Sequence, residues 1–344
     1  MSDSVRVALV GYGLAGKIFH APLITSTEGM TLTTVVSSDP DKVHADLPGV
    51  QVTGDLGTAL ESHAIDLVVL ATPDALHAEQ ALSALDAGKH VVVDKPFAPS
   101  LAEARLVAER AADRGLTLAI FHNRRWDGDF LTVRRLVEEG ALGEIMLFES
   151  HFDRFRPEVT DRWKDKRAGG VWQDLGPHLV DQALRLFGMP EALFADIGTQ
   201  RSSALVPDYA HVVLRYGARR VILQASQMTH ANGLRFAVHG TRGSYIKYGT
   251  DPQEGQSKAG LKPASPVWGI DDQPGLLTRL APDGRAHEII VESERGNYAA
   301  FYEALRDAIL DGKPNPVPPQ QALDVMTVIE AGRISADERR EVRL

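Results

Sequence analysis

The sequence predicts an α/β protein, with an N-terminal doubly wound parallel sheet and a C-terminal α+β domain built on a large, mainly antiparallel open sheet. Up to about residue 123, apolar strand segments alternate with helical patterns, and strand cores such as 67–70 and 91–93 are continuously apolar. Such runs are typical of parallel strands that are buried on both faces. Beyond residue 124, long strands outnumber the helical segments, which is typical of an α+β domain.

We place the domain boundary where the pattern changes, which gives domains 1–123 and 124–344. In the first domain the pattern predicts strands over 5–10, 31–37, 65–71, 90–94 and 117–121. It predicts helices over 14–25, 56–62, 75–87 and 100–113. Sheets of this kind bind their ligands at the carboxyl ends of the strands.

The first strand runs directly into Gly11-Tyr12-Gly13-Leu14-Ala15-Gly16, a G-x-G-x-x-G turn that precedes a predicted helix. In dinucleotide-binding domains the first glycine permits the tight turn, and the second lets the backbone approach a pyrophosphate at the helix N-terminus. The third lets the helix pack closely on the strand. The turn therefore predicts a Rossmann domain, and a glycine-rich turn of some other α/β protein is the alternative.

In the second domain the pattern predicts helices over 127–138 and 174–187. Strands 209–216 and 220–227 flank a Gly-Ala turn as an antiparallel hairpin, and strands 234–240 and 244–248 continue the sheet. The Gly- and Pro-rich stretch 249–284 predicts a long loop, which is uncommon without a purpose. A final helix is predicted over 320–336.

The composition, with 44% apolar and 24% charged residues, is that of a globular protein. The net charge of −9 and the lack of a Lys/Arg run argue against nucleic-acid or membrane partners. The absence of cysteine excludes disulfides, thiolate chemistry and Cys-zinc sites. Because the sequence has neither a signal-peptide pattern nor an apolar stretch of transmembrane length, we expect a cytoplasmic protein.

Four segments together resemble the glucose–fructose oxidoreductase/inositol dehydrogenase (Gfo/Idh/MocA) family, and their order and spacing match over almost the whole chain. They are the glycine turn, Ala71-Thr72-Pro73 with His77, the stretch 88–96 that ends in Asp94-Lys95-Pro96, and the stretch 169–178, which is similar to the family's D-x-G-x-H helix. The family has Glu where this chain has Asp94. More narrowly, 121–127 and 248–254 look like the branch that contains NADP-dependent scyllo-inositol dehydrogenases.

The resemblance implies an oxidoreductase that interconverts a secondary alcohol and a ketone on a cyclitol or sugar-like polyol, with hydride passing to or from nicotinamide C4. Lys95 then stabilises the developing alkoxide. His178 is the base, because histidine side chains in general titrate near neutral pH. Asp174 lies four residues before His178 on the same helix face and holds the substrate hydroxyl or orients the imidazole. An Asp/His pair one turn apart is otherwise often a helix-surface hydrogen bond. A metal site is rejected, because no third ligand has a suitable spacing.

The cofactor is expected to be NADP, with NAD possible. NAD enzymes place an acid after the second strand, about 20 residues past the glycines, and this chain has Ser37 there. Serine accepts a 2′-phosphate without repulsion and Lys42 adds a positive charge, whereas Asp39 could take the NAD role. The expected cofactor-binding residues are Gly11, Gly13, Leu14, Ala15, Gly16, Ser37, Ser38, Lys42, Thr72, Pro73, His77, Asp94, Lys95 and Asn123.

The expected substrate is an uncharged polyol or sugar, because flat apolar rings beside polar groups suit such molecules. The expected substrate-binding residues are Lys95, Arg124, Trp126, Arg154, Trp163, Trp172, Asp174 and His178. A sheet face free of helices, which relatives use for subunit contacts, implies a homodimer or homotetramer. Two alternatives remain: a non-catalytic NAD(P)-binding regulator or sensor, and an NAD-dependent glycosidase of the same family.

Overall fold

The computed structural model describes residues 4–160, 169–230, 233–281 and 283–344. The chain divides into two compact units. The first unit comprises Met1–Trp126, Gln253–Gly269 and Asn297–Leu323, and the second comprises Asp127–Pro252, Ile270–Gly296 and Asp324–Leu344. The expected boundary after residue 123 lies near the first crossing, but the chain also returns to the first unit twice. A local pattern does not reveal these returns, because it predicts an element without predicting which core that element joins.

The described residues contain fifteen strands, divided between two sheets. They are β1 Val5–Val10, β2 Met30–Val36, β3 Gln51–Thr53, β4 Leu67–Leu70, β5 His90–Val93, β6 Leu118–Ile120, β7 Ile145–Asp153, β8 Ala192–Gly198, β9 Tyr209–Tyr216, β10 Arg219–Ser226, β11 Leu234–Gly240, β12 Gly243–Tyr248, β13 Gly275–Leu280, β14 Ala286–Val291 and β15 Val342–Arg343.

Ten α-helices lie in the same ranges of the chain. They are α1 Ala21–Ser26, α2 Pro40–Asp46, α3 Leu56–Leu60, α4 His77–Asp86, α5 Leu101–Asp113, α6 Gly128–Glu138, α7 Gly170–Phe187, α8 Gln253–Lys258, α9 Ala299–Asp311 and α10 Pro319–Glu338. A π-helical turn, Gly16–His20, leads into α1, and 3₁₀ turns cover Asp74–Leu76 and Asn123–Trp126. None of the helices in the described segments is long and apolar enough to cross a membrane.

The first unit contains a parallel sheet of six described strands in the order β3-β2-β1-β4-β5-β6. This order is that of a Rossmann fold, so the predicted fold class of the first domain is confirmed. The central strands β1, β4 and β5 are almost entirely buried, because helices cover both faces of such a sheet. Strand β3 and helix α2 were not predicted from the sequence.

The second unit contains a larger sheet of nine described strands in the order β14-β13-β12-β11-β7-β10-β9-β8-β15. Its pairs are antiparallel except for β10 with β7, so the predicted open sheet is also confirmed. The prediction of 249–284 as a long loop is wrong in part, because α8 and β13 lie within it. Strands β7, β8, β14 and β15 and helix α9 were missed as well.

Alternation along these strands gives the larger sheet two different faces. One face carries the buried side chains Phe148, Val212, Leu214, Val221 and Leu223, which pack with α7 in a single core. Their alternate neighbours, such as Phe194, Val213 and Ile222, lie on the other face and keep part of their surface exposed.

Candidate active site

The glycine turn of the first unit is built by close backbone approach. Gly11 has φ +94°, and a Cβ there would lie 2.8 Å from the carbonyl oxygen of Ala71. A Cβ on Gly16 would lie 2.1 Å from the carbonyl oxygen of Gly11. A Cβ on Gly13 would meet nothing within 4 Å. The outer two glycines are therefore required for packing, whereas Gly13 keeps a space open at the turn.

This turn borders a cavity of about 550 Å³. Six of the expected cofactor-binding residues line it, namely Gly11, Gly13, Ser37, Ser38, Lys42 and Thr72. Asp39, the alternative NAD ligand of the sequence analysis, lines it as well, and lining residues that the sequence reasoning missed include Tyr12, Asp55 and Gln80. Tyr12 could have been found as the variable residue between the first two glycines, and Asp55 as a helix cap. The expected residues that are not among those lining it are Leu14, Ala15, Gly16, Pro73, His77, Asp94, Lys95 and Asn123.

Two carboxylates of the cavity wall cap the N-termini of helices. Asp39 accepts a hydrogen bond from the Lys42 amide at 3.0 Å and caps α2, while Ser37 Oγ accepts one from the Asp39 amide at 3.1 Å. Asp55 caps α3 by accepting hydrogen bonds from the amide and hydroxyl of Thr58, both at 2.8 Å, and these lower its pKa. N-terminal caps are favourable places for negative charge. Ser37 remains the residue at the end of β2, as the sequence predicts.

His77 holds the ends of two neighbouring strands together. Its Nε2 lies 2.9 Å from the Thr72 carbonyl oxygen, after β4, and its Nδ1 lies 2.8 Å from the Pro96 carbonyl oxygen, after β5. The residue is 1% exposed. Each ring nitrogen therefore lies within hydrogen-bond distance of a backbone carbonyl oxygen. The contacts of His77 thus connect the Thr72 and Lys95 turns.

Asp94 and Lys95 follow β5, with both side chains partly exposed. Asp94 Oδ1 accepts a hydrogen bond from the Lys95 amide at 2.8 Å. Burial alone raises the pKa of Asp94, but the attraction of His20, Lys95 and His77 outweighs it and holds the pKa below its ordinary value. Asp94 is therefore a carboxylate at neutral pH, beside a lysine whose backbone it holds.

Asn123, Arg124 and Trp126 lie in the 3₁₀ turn that follows β6. Arg124 is buried and forms an ion pair with Glu254 of α8. The Trp126 ring meets Phe301 of α9 edge to face at 5.8 Å, and its carbonyl oxygen accepts hydrogen bonds from Gln253 and Asn297. These contacts of Arg124 and Trp126 all lie within the first unit. Gln253 and Glu254 of the 248–254 motif therefore have a packing role there, whereas residues 248–252 belong to the second unit.

The second unit carries Asp174 and His178 on α7. The helix begins after Gly169, at φ +82°, and a Cβ on Gly170 would lie 1.9 Å from the Pro207 carbonyl oxygen. Only glycine fits this entry, which explains the Gly-Gly pair before the helix. Asp174 is half-buried, His178 is buried, and the His178 ring lies edge-on to Phe152 at 6.2 Å. The spacing predicted from sequence therefore places the pair on one helix face.

The other expected substrate residues have different surroundings. Trp172 is 2% exposed, donates to the Ile329 carbonyl oxygen at 3.0 Å, and packs where a Cβ on Gly332 would collide with its ring. This placement corrects the expectation for Trp172, which is a core residue. Arg154 is half-buried, and its amide pairs with the Ser226 carbonyl oxygen. Trp163 lies outside the described residues.

A buried arginine that the sequence reasoning missed supports the Phe152 ring. Arg235 on β11 is 0% exposed and donates to Asp129 at 3.0 Å and to Gln182 and Ser150 at 2.8 Å. Its guanidinium also lies 4.0 Å from the ring centroids of Phe152 and Phe236. An arginine in the apolar strand 234–238 is the sequence signal that could have found it.

Both units are similar to domains of known proteins. Residues 5–122 match a family described as "Oxidoreductase family, NAD-binding Rossmann fold", and residues 134–344 match "Oxidoreductase family, C-terminal alpha/beta domain", the two Gfo/Idh/MocA domains. The solved structure of the Yersinia pestis oxidoreductase YPO2259 is similar, with a TM-score of 0.97, 48% identity, and coverage of 100% of this chain and 98% of that chain.

Among curated proteins, the Escherichia coli K12 oxidoreductase YdgJ, described as uncharacterized, is 48% identical over 98% of both chains. The Bacillus subtilis scyllo-inositol 2-dehydrogenase (NADP(+)) IolW is 38% identical, covering 99% of this chain and 96% of its own. The NAD(+)-dependent scyllo-inositol 2-dehydrogenase of the same strain is 27% identical, covering 71% of this chain and 74% of its own.

The three glycines give a first prediction. Gly16→Ala forces a Cβ into the Gly11 carbonyl and should lower the free energy of unfolding by about 1–3 kcal/mol, the usual cost of overpacking. Gly13→Ala is the matched control for packing: it should leave the melting temperature nearly unchanged and weaken NADPH binding, because its methyl group enters the open space. Calorimetry measures both effects. Equal melting temperatures for the two variants would contradict this account of the turn.

Proposed function

Because the chain belongs to the Gfo/Idh/MocA oxidoreductase family, we propose that it is an NADP(H)-preferring dehydrogenase that interconverts a secondary alcohol on a cyclitol with its ketone. Scyllo-inositol is the proposed substrate. The supporting observation is the likeness to IolW over nearly the whole chain, in a sequence that also has Lys95, Asp174 and His178 at the family's motif positions.

The residues of the first unit fit a dinucleotide. Gly13 leaves open space beside the turn, and Thr72 lies across the same cavity. When bound, the nicotinamide accepts or donates the hydride. Lys95 is proposed to donate a hydrogen bond to the reacting oxygen, because an ammonium stabilises developing negative charge. His178 is proposed to take the alcohol proton during oxidation and to return it during reduction, with Asp174 as its helper.

The preference for NADP rests on the end of β2. A carboxylate at position 37, about 4 Å from a 2′-phosphate, would cost on the order of 1–4 kcal/mol, depending on the local dielectric. Ser37 carries no such charge, and Lys42 on the cavity wall adds a positive one. Asp39 also lines the cavity, but its Oδ1 is used to cap α2. These contacts favour NADP over NAD.

We also propose that the open face of the larger sheet binds a second copy of the chain. Strand register places one row of side chains across eight strands of that face: Phe194, Val213, Ile222, Glu149, Ala237, Ile246, Leu276 and Ile290. Seven of the eight are apolar, and Phe194 and Ile290 are 45% and 69% exposed. A largely apolar row, interrupted by Glu149 and exposed at both ends, is typical of an interaction surface.

The reaction is tested with a substrate panel. Enzyme and NADP are mixed with scyllo-inositol, myo-inositol, aldoses and sugar acids, and absorbance of the reduced nicotinamide is followed. We expect reduction of NADP with an inositol. If only an aldose or a sugar acid reacts, the substrate is wrong but the dehydrogenase class stands. A regulator would bind cofactor without turnover, and a glycosidase would cleave a glycoside with no net change in NADPH.

Variants of the proposed catalytic residues should separate their roles. Lys95→Met and His178→Ala should each lower kcat by roughly two to four powers of ten, the range for positioned acid–base and oxyanion groups. NADPH affinity should change little in His178→Ala, because that residue belongs to the second unit. Lys313→Met and His239→Ala are controls with expected normal turnover. Near-normal kcat in His178→Ala would reject its role as base.

For the cofactor, wild-type protein should bind NADPH more tightly than NADH in calorimetric titrations. Ser37→Asp should weaken NADPH binding by roughly tenfold or more, since 1.4 kcal/mol corresponds to a factor of ten and the charge repulsion is of that size. Ser203→Asp, on an exposed loop of the second unit, should change neither affinity. Tighter NADH binding by the wild type would overturn the preference and make Asp39 the ribose ligand.

Light scattering tests the proposed association. The wild type should have about two or four times the chain mass of 37.4 kDa. Replacing Phe194 and Ile222 together with Asp should give monomers, because charges would be buried in the apolar row. Leu205→Asp, at a loop side chain that is 74% exposed, is the control and should retain the wild-type mass. A wild-type monomer at micromolar concentration would contradict the proposal.

A further inference from the structure

Three side chains from distant parts of the first unit meet behind the turn that carries Lys95. His20 ends the π-helical turn, Asp94 follows β5, and Tyr302 lies in α9. His20 and Tyr302 are 0% exposed, and the Asp94 side chain is 20% exposed. The proposed reaction, as described above, uses neither His20 nor Tyr302. A buried imidazole and a buried phenol beside a carboxylate therefore need an explanation.

The contacts place the His20 ring between Tyr302 and Asp94. Its Nδ1 lies 2.6 Å from the Tyr302 hydroxyl, and its Nε2 lies 3.8 Å from Asp94 Oδ2. The first contact is a short hydrogen bond, whereas the second is beyond hydrogen-bond distance and is an ion pair only when the imidazole is protonated. The ring also packs against Phe121 at 4.3 Å between centroids. Aromatic packing and the phenol thus fix the imidazole in one orientation.

The Tyr302 phenol is able to donate its hydrogen to Nδ1 of His20. Burial, and then the negative charge of Asp94, raise the pKa of Tyr302 well above its ordinary value, so the phenol keeps its proton. When that hydroxyl donates to Nδ1, the hydrogen of a neutral imidazole lies on Nε2, which faces Asp94. The Asp94 carboxylate in turn accepts a hydrogen bond from the Lys95 amide through Oδ1. The three residues therefore form a chain that ends on the Lys95 backbone.

We propose that His20, held by Tyr302, is a positioning residue that acts through Asp94 to fix the turn that presents Lys95. The inference rests on the proposed function for the role of Lys95. Aspartate is one methylene shorter than the glutamate that the family has at this position. The shorter side chain of Asp94 keeps its carboxylate close to the backbone. In that position the buried imidazole of His20 is a partner for the carboxylate.

The test is a double-mutant cycle on kcat. His20→Asn and Asp94→Asn should each lower kcat by about 10- to 100-fold, the range expected when a reacting group is misplaced. If His20 acts through Asp94, the double variant should be no slower than the slower single variant. Multiplied effects in the double variant would overturn the proposal. NADPH affinity and melting temperature are measured alongside, and His90→Asn, at the opposite end of β5, is the control with expected normal kcat.

Tyr302→Phe keeps the proposal testable if His20→Asn does not fold, because it removes one hydroxyl from the core. It should lower kcat roughly 2- to 10-fold, the size of one hydrogen bond. When Tyr302→Phe is added to a protein that already carries Asp94→Asn, the hydroxyl loss should have no further effect on kcat. Unchanged kcat in folded Tyr302→Phe would overturn the proposed role of the phenol.

A second measurement does not depend on the substrate. Reductive methylation of Lys95 by formaldehyde and borohydride is followed by peptide mass spectrometry, with Lys258 and Lys313 as internal references. His20→Asn and Tyr302→Phe should change the Lys95 rate by about threefold or more relative to the references, an effect of the size of one hydrogen bond. If no substrate reacts with the wild type but these rates change, the proposed function fails and the positioning network stands. Unchanged rates in folded variants would overturn the network itself.

Discussion

The buried guanidinium of Arg235 is the interaction on which the second unit depends. A full charge with no exposed surface is costly unless every donor has a partner. Asp129 supplies the opposite charge, and Gln182 and Ser150 each accept a further hydrogen bond from the guanidinium. The Arg235 side chain therefore joins β11 to α6, α7 and β7. Asp129 also accepts a hydrogen bond from the Asp251 amide at 3.1 Å. The chain just before its return to the first unit is therefore bound to the same carboxylate. The position of α7, and with it the Asp174–His178 pair, follows from this network.

The first unit is organised by a different constraint, the need to hold loop residues at the ends of parallel strands. Side chains that are nearly or wholly buried do this work: His77 joins the turns after β4 and β5, and Gln253 contacts three separate segments. Gln253 accepts from the Tyr298 amide at 2.7 Å and from the Trp268 indole at 3.0 Å, and donates to the Trp126 carbonyl at 3.0 Å. Gln253 therefore binds the start of the returning segment 253–269 to the rest of the first unit.

The two faces of the larger sheet have different surroundings because side chains alternate along β-strands. One set of alternate residues packs with α7 in the core, while the other forms the apolar row from Phe194 to Ile290. Glu149 of this row lies 3.3 Å from His151, measured from Oε2 to Nε2, and His151 Nδ1 lies 3.3 Å from Asp153 Oδ2. The same face therefore also carries a polar cluster. An open face with both features suits a protein surface that binds a copy of itself in one register.

The sequence by itself determined the Rossmann fold class, the glycine turn and the i, i+4 spacing of Asp174 and His178. Each depends on local chemistry: strand burial, backbone freedom at glycine, or helical periodicity. Only the tertiary structure decided that Trp172 belongs to the core, that Arg235 is buried, that 253–269 and 297–323 return to the first unit, and that His20 and Tyr302 meet Asp94. These features depend on contacts between residues that are distant in the chain, such as the 282 positions that separate His20 from Tyr302. No local pattern specifies such a pairing, because the same side chains would fit several partners until the cores are packed.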